Sequence, residues 1–105
     1  MIFFTSDTHF CHKNILKHRP QFKTIEDMNN TIIENWNSIV GIKDTVYHLG
    51  DFGIGRQIEL LSIMDKLHGS KIVIKGTHDK NLTIPIGNHI VTENLLTEID
   101  TNKIF

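Results

Sequence analysis

Residues 44–51, DTVYHLGD, decide the fold that this sequence predicts. The β-branched and aromatic residues at its centre are typical of a short buried strand, and Gly50 and Asp51 close it with a turn. Two further β-prone stretches stand before and after it, residues 1–5, MIFFT, and residues 71–75, KIVIK. We therefore predict three strands, each of which ends in a polar turn.

Two helices are predicted between these strands. Thr24 and Asp27, a hydroxyl and a carboxylate three residues apart, are typical of a helix start, and Gly41 ends the first helix. The second helix runs from about Gln57, and Gly69 stands where a C-terminal cap belongs. Apolar residues at steps of three and four predict the buried faces. The predicted buried residues are Ile25, Met28, Ile32, Trp36 and Ile39 in the first helix, and Ile58, Leu61, Met64 and Leu67 in the second.

The order strand, helix, strand, helix, strand predicts an α/β fold with a mainly parallel sheet. Residues 13–20 are predicted as a loop or a broken helix, because Pro20 disfavours a helical Arg19. Beyond residue 80, Ile90 and Val91 and residues 95–99 are candidate short strands. At 105 residues, we expect a single domain over residues 1–105.

Composition excludes several classes of function. The formal charge of −1 argues against nucleic-acid binding, because such binding needs an excess of Lys and Arg. The apolar runs are too short to span a membrane, and no signal peptide is visible. Cys11, the single cysteine, excludes an internal disulfide and predicts a cytoplasmic location. Its side chain is read as a small packed group, with a metal-sensitive thiol as the alternative.

Potential metal ligands follow each predicted strand. Asp7 and His9 follow the first, Asp51 the second, and residues 76–79, GTHD, the third. The carboxyl ends of parallel strands meet at one sheet edge, so these residues should converge. In an extended segment Asp7 and His9 would point the same way, and Gly50 and Gly76 would allow sharp turns that bring a metal or phosphate close. A lone Asp-x-His arises by chance, but three such groups predict a site for Mn, Fe or Zn.

These groups resemble the D-x-H, G-D and G-N-H-D/E blocks of calcineurin-like metallophosphoesterases. The flanking residues are similar to the small bacterial and phage branch of that family: SDTHF at 6–10, HKNI at 12–15, RP at 19–20, ENWN at 34–37 and YHLGDF at 47–52. The resemblance covers residues 1 to about 80. It implies one half of the family's α/β sandwich, and hence a truncated metallophosphoesterase-like domain.

The resemblance also implies roles for individual residues. Asp7 and His9 would bind a first divalent metal, and Asp51 would bridge it to a second. His78 would act on the phosphate as an acid or leaving-group stabiliser, and Asp79 would orient His78. We expect manganese, with iron, zinc or nickel as alternatives.

Three residues near the predicted site have two readings each. His12 and His48 could hydrogen-bond a metal ligand or the phosphate, or be ordinary structural histidines. Arg19 could clamp a phosphate or be a solvated loop charge.

Two departures from the family pattern weaken the expected site. Thr77 stands where the family has an asparagine, and a hydroxyl is a poorer ligand for a divalent cation, so Thr77 is at most a weak metal ligand. The chain also ends before the family's G-H-x-H block. Half a sandwich would expose apolar sheet surface, which we expect a second copy or a protein partner to cover.

Two functions from different classes follow. The first is a metal-dependent hydrolase of phosphomonoesters or phosphodiesters, or an impaired relative of one, acting on a small phosphoester substrate. The alternative is a catalytically inactive binding or inhibitory module, encoded by a phage or mobile element, that acts through protein–protein contact.

Overall fold

The computed structural model describes residues 1–76, residue 79 and the backbone of residues 89–92. These described residues form four strands, two α-helices and one 3₁₀ helix. The strands are β1 (Ile2–Thr5), β2 (Thr45–His48), β3 (Ser70–Ile74) and β4 (His89–Thr92). The helices are α1 (Ile25–Ile39) and α2 (Gln57–Lys66), and a 3₁₀ helix covers Lys13–His18.

The strands form one parallel sheet in the order β1-β2-β3-β4. This confirms the predicted α/β fold with a parallel sheet, and β4 confirms the candidate strand at Ile90 and Val91. The candidate strand at residues 95–99 lies outside the described residues. Because the strands are parallel, the loops that follow β1, β2 and β3 all leave the sheet at the same edge.

Helix α1 begins as its sequence predicts. The Thr24 hydroxyl accepts a hydrogen bond from the Asp27 backbone N–H at 3.0 Å, which satisfies one of the free N–H groups of the first turn. The prediction that Ile39 is buried is wrong, since Ile39 is 68% exposed. The backbone becomes extended at Val40, directly after the helix, and Val40 is buried in the core where Ile39 was expected.

The predicted buried face of α2 is partly wrong. Met64 and Leu67 are buried as expected, but Ile58 is 72% exposed. The buried stripe of the helix is made by Leu60, Ile63 and Met64, which also follow steps of three and four. Ile58 lies on the other side of the first turn, where α2 faces away from the sheet.

The core lies between the two helices and one face of the sheet. Val46 and Val73 project from that face, and Trp36 of α1 and Leu60 of α2 pack over them. Trp36 is a core residue, as predicted, and its indole N–H donates to the carbonyl of His68 at 3.1 Å. The packing holds both helices against the sheet, so the loops at the sheet edge start from fixed points.

The opposite face of β1 is partly open. Phe4 is 61% exposed, and its ring stacks on Tyr47 with a centroid distance of 5.3 Å. Ile2 lies on the same face and is also exposed. No helix in the described part of the chain is long and apolar enough to cross a membrane.

Candidate metal centre

Two loops run side by side beyond the sheet edge. Asp7 N–H donates to the Gly50 carbonyl at 2.9 Å, and His9 N–H donates to the Asp51 carbonyl at 3.0 Å. Phe10 N–H continues the series to the carbonyl of Phe52 at 2.8 Å. These bonds extend the pairing of β1 and β2 into the loops. Asp7, His9 and Asp51 are thus held by backbone hydrogen bonds rather than by the side chains alone.

In each of the two loops a buried phenylalanine directly follows a potential metal ligand and anchors the loop to the core. Phe10 comes directly after His9, and Phe52 directly after Asp51. Both rings are fully buried, and their centroids are 5.0 Å apart. Burial of a phenylalanine side chain is worth about 1.5–3 kcal/mol, so each loop is tied to the core next to its polar residue.

Asp7, His9 and Asp51 come together at the edge of the sheet. One potential ligand atom from each lies within 4.8 Å of the other two. His9 Nε2 is 3.5 Å from Asp7 Oδ1, and the Asp7 side chain is 61% exposed while that of His9 is almost buried. Two carboxylates and an imidazole form a cluster that could hold a metal ion, open to solvent on the Asp7 side.

The backbone at the cluster departs from the extended conformation predicted for Asp7 and His9. Their φ angles are 57° and 55°, and Asp51 has a φ of 54°. The left-handed region is sparsely populated by residues other than glycine, and each such residue costs of order 1–3 kcal/mol. The prediction that an extended backbone points the side chains of Asp7 and His9 the same way is therefore wrong. The side chains meet because the loop winds along residues 50–52, with a left-handed residue at every second position.

The loop after β3 is packed tightly against Asp51. A Cβ on Gly76 would lie 2.5 Å from Asp51 N and 2.6 Å from Asp51 Oδ1. Gly50 faces the same contact with a φ of 123°, so a side chain there would be strained as well. The sequence predicts glycines that allow sharp turns toward a metal or phosphate. At Gly76 the observed reason is the close approach of a second backbone segment.

Asp79 ties the third loop to the second. Its carboxylate is fully buried and accepts hydrogen bonds from Gly76 N–H at 2.7 Å and from Gly53 N–H at 3.2 Å. Thr77 and His78 lie outside the described residues. The weak metal ligand at Thr77, the acid at His78 and the orienting contact from Asp79 to His78 thus stay predictions.

Arg19 supports the loop after β1 through its backbone carbonyls. Its guanidinium donates to the carbonyls of Asp7 at 2.6 Å and Thr8 at 2.8 Å, and it also lies 3.5 Å from the sulfur of Met28. The sequence suggested a phosphate clamp or a solvated charge, and neither reading anticipated this contact. An arginine next to a proline carries no local signal that it will bind carbonyls of the loop eleven residues earlier.

His48 is fully buried behind the cluster and is neutral. The Thr8 hydroxyl donates to the Phe52 carbonyl at 2.8 Å, so its oxygen must accept from His48 Nε2–H at 3.0 Å. His48 Nδ1 then accepts from Gly50 N–H at 3.3 Å. Burial lowers the pKa of His48 to about 4, although Asp7 and Asp51 act in the opposite direction. His48 therefore supports the loops that carry both aspartates.

His12 lies beside His9. Their Nδ1 atoms are 3.1 Å apart, and their ring centroids are 5.2 Å apart. His12 is held in a turn, in which its N–H donates to the His9 carbonyl at 3.2 Å. The side chain of His12 thus contacts the ring of His9, whereas Arg19 binds the backbone carbonyl of Asp7.

Cys11 and Asn29 form a contact that the sequence did not suggest. The Asn29 amide oxygen accepts from Cys11 N–H at 3.1 Å, and its NH₂ group lies 3.6 Å from the Cys11 sulfur. Both residues line an open groove of about 1000 Å³ between α1 and α2. Burial raises the pKa of the Cys11 thiol, which favours its uncharged form. The contact agrees with the packed reading of Cys11.

Relatives of the chain are found in archaea, phages and bacteria. The chain is 43% identical over 83 residues to the uncharacterized protein MJ1445 of Methanocaldococcus jannaschii, a match covering 75% of the chain and 47% of that protein. It is 38% identical over 79 residues to the Gene 66 protein of Mycobacterium phage L5, covering 72% of the chain and 38% of that protein.

The chain is also similar to a protein of known structure. The crystal structure of a protein of unknown function, AQ665 from Aquifex aeolicus, matches with a TM-score of 0.63 and 40% identity, covering 77% of this chain and 44% of that one. No protein-family model matches. The chain spans less than half the length of each of these relatives.

Proposed function

We propose that this chain is the metal-binding part of a metal-dependent phosphoesterase of the calcineurin-like type, which hydrolyses small phosphomonoesters or phosphodiesters. The observation that carries the proposal is the cluster of Asp7, His9 and Asp51 at the carboxyl edge of a parallel sheet. Active sites of open α/β sheets form at this edge.

The donor set of the cluster suits a divalent cation. Carboxylate oxygens and one imidazole nitrogen favour Mn²⁺, with iron, zinc and nickel as alternatives, over metals that prefer thiolates. A cation held there would offset the negative charge of the phosphate and would make water a better nucleophile. Cys11, the single thiol, is engaged with Asn29 rather than with the cluster.

The protein's own residues would bind and orient the substrate. The exposed carboxylate of Asp7 leaves the cluster open to a phosphoester from solvent, while His9 is shielded on the protein side. Arg19 and His48 keep the loop of Asp7 in place through backbone and hydroxyl contacts. His78 is proposed to act on the phosphate as an acid or as a stabiliser of the leaving group. Phosphoryl transfer depends mainly on such positioning and on charge stabilisation.

The test is hydrolysis of bis-p-nitrophenyl phosphate by the purified chain with and without MnCl₂. We expect Mn²⁺-dependent turnover that the Asp51→Asn variant loses, because the substitution removes a negative ligand without changing side-chain size. Asp27→Asn is the matched control, since Asp27 is an exposed carboxylate on α1 and not a member of the cluster. A wild-type rate no higher than that of Asp51→Asn would contradict the proposal.

A second function is favoured by a different observation, the exposed Ile2 and Phe4 on β1. In this reading the chain is an inactive binding module, and a second copy or another protein covers that face. Sedimentation of the wild type beside Phe4→Ser tests it, and a wild-type monomer that binds no partner protein would contradict it. For either function we propose a cytoplasmic location, consistent with the free thiol of Cys11.

A further inference from the structure

We propose that His12 is a positioning residue that sets the tautomer of His9 and so aims His9 Nε2 at the bound cation. The inference rests on the metal centre of the proposed function, and it assigns a role to a residue outside the cluster itself. Its physical basis is the direct contact between the two imidazole rings.

The two nitrogens of the His9 ring face different partners. Nε2 lies 3.5 Å from Asp7 Oδ1, on the side of the metal cluster, and Nδ1 lies 3.1 Å from His12 Nδ1. A neutral imidazole has one N–H group and one lone pair. When Nε2 gives its lone pair to a cation, the proton must stay on Nδ1. The acceptor that the structure places there is the Nδ1 lone pair of His12.

The backbone holds His12 in position for this contact. The turn from His9 to His12 is closed by the bond from His12 N–H to the His9 carbonyl. Between them, Cys11 has a φ of 61° and its N–H is bound to Asn29 on α1. His12 also accepts from Ile15 N–H at 3.0 Å, at the start of the 3₁₀ helix. These contacts fix the backbone of His12 next to His9, and in this position the two rings meet.

A hydrogen bond of this kind strengthens a metal ligand in two ways. It keeps the ring in the orientation in which Nε2 faces the cation, and it raises the basicity of Nε2. Loss of such a partner typically weakens metal binding by about 10- to 100-fold. His12 would therefore affect metal affinity although its own Nδ1 points at His9 and not at the cluster.

Two variants whose new side chains have nearly the same shape distinguish the effect of the hydrogen bond from that of packing. In His12→Asn, the side-chain oxygen can occupy the place of Nδ1 and accept the hydrogen bond. In His12→Leu, a methyl group of similar size stands there and cannot accept. We expect calorimetric titration with MnCl₂ to give about 10- to 100-fold weaker binding for His12→Leu and nearly wild-type binding for His12→Asn.

A second measurement uses the wild type and so does not depend on whether a variant folds. With diamagnetic Zn²⁺ bound, ¹⁵N NMR should show that the His9 ring carries a proton at Nδ1 and none at Nε2. Equal Mn²⁺ affinity of wild type and His12→Leu, or a Zn²⁺-bound His9 protonated at Nε2, would overturn the inference.

The outcome is separable from that of the proposed function, because metal binding is measured without substrate. If Mn²⁺ binds in the expected order but no phosphodiester is hydrolysed, the proposed activity fails and the role of His12 stands. If Asp51→Asn binds Mn²⁺ as tightly as the wild type, the ion lies elsewhere, and the role of His12 fails with the metal centre.

Discussion

Replacing Gly76 by alanine should separate the two loops that meet at the metal centre. The new methyl group would lie 2.5 Å from Asp51 N and 2.6 Å from Asp51 Oδ1. Attractive contacts of carbon atoms lie at about 3.5–4.0 Å, so one of the two loops has to move by roughly 1 Å. The nearest atom belongs to the backbone of Asp51, which cannot rotate away as a flexible side chain would.

The cost of Gly76→Ala can be estimated from this overlap. Extra methyl groups in a well-packed site cost about 1–3 kcal/mol, and in a domain of this size each kcal/mol lowers Tm by about 4–8 °C. We therefore expect a Tm at least about 4 °C below that of the wild type. Because Asp51 Oδ1 is one of the crowded atoms, Mn²⁺ binding should weaken by about tenfold or more.

Gly41→Ala is the matched control for this variant. A Cβ at Gly41 would meet Oδ2 of Asp44 at 3.3 Å, a contact with a side-chain atom that is much less tight than the one at Gly76. The same substitution there should leave Mn²⁺ binding unchanged and Tm the same or slightly higher, because alanine restricts the unfolded chain. Thermal melts and Mn²⁺ titrations of both variants give the comparison. If Gly76→Ala matches Gly41→Ala in both measurements, the loop of Gly76 does not pack on Asp51 and the reasoning is refuted.

Two further predictions concern stability. Thr24→Ala should lower the free energy of unfolding by about 1 kcal/mol through loss of the N-cap of α1, while Thr24→Ser should restore it; urea denaturation that ranks both variants alike would count against the cap. Burial lowers the pKa of Lys71 to about 8, so the folded state disfavours its charged form, and stability should rise between about pH 8 and 10 by up to about 1.4 kcal/mol per pH unit. Urea midpoints of Lys71→Met should lack this rise, and parallel pH curves for the two proteins would disprove it.

Helix α2 illustrates where prediction from the sequence stops. Its residues contain two overlapping apolar patterns at helical spacing, one through Ile58 and Leu61 and one through Leu60 and Ile63. Both satisfy the same local rule, and the pattern of residues cannot rank them. The position of the sheet decides between them, because the helix buries the stripe that faces Val46 and Val73.

The candidate metal centre could also be predicted only in part from the sequence. Which residues come together could be predicted, because each candidate ligand follows a strand and parallel strands end at one edge. How they come together could not. The left-handed conformations of Asp7, His9 and Asp51 depend on pairing between loops that are more than forty residues apart in the chain.

The pattern of residues was enough to predict β1, β2 and β3, the start of α1, the parallel pairing of strands and the grouping of Asp7, His9 and Asp51. These depend on local composition and on the short-range geometry of strands and turns. Only the tertiary structure decided that Arg19 supports the first loop, that His12 contacts His9 and that Gly76 packs on Asp51. Such contacts join segments whose separation is set by the packing of helices on the sheet, and packing is a property of the whole chain rather than of any stretch of it.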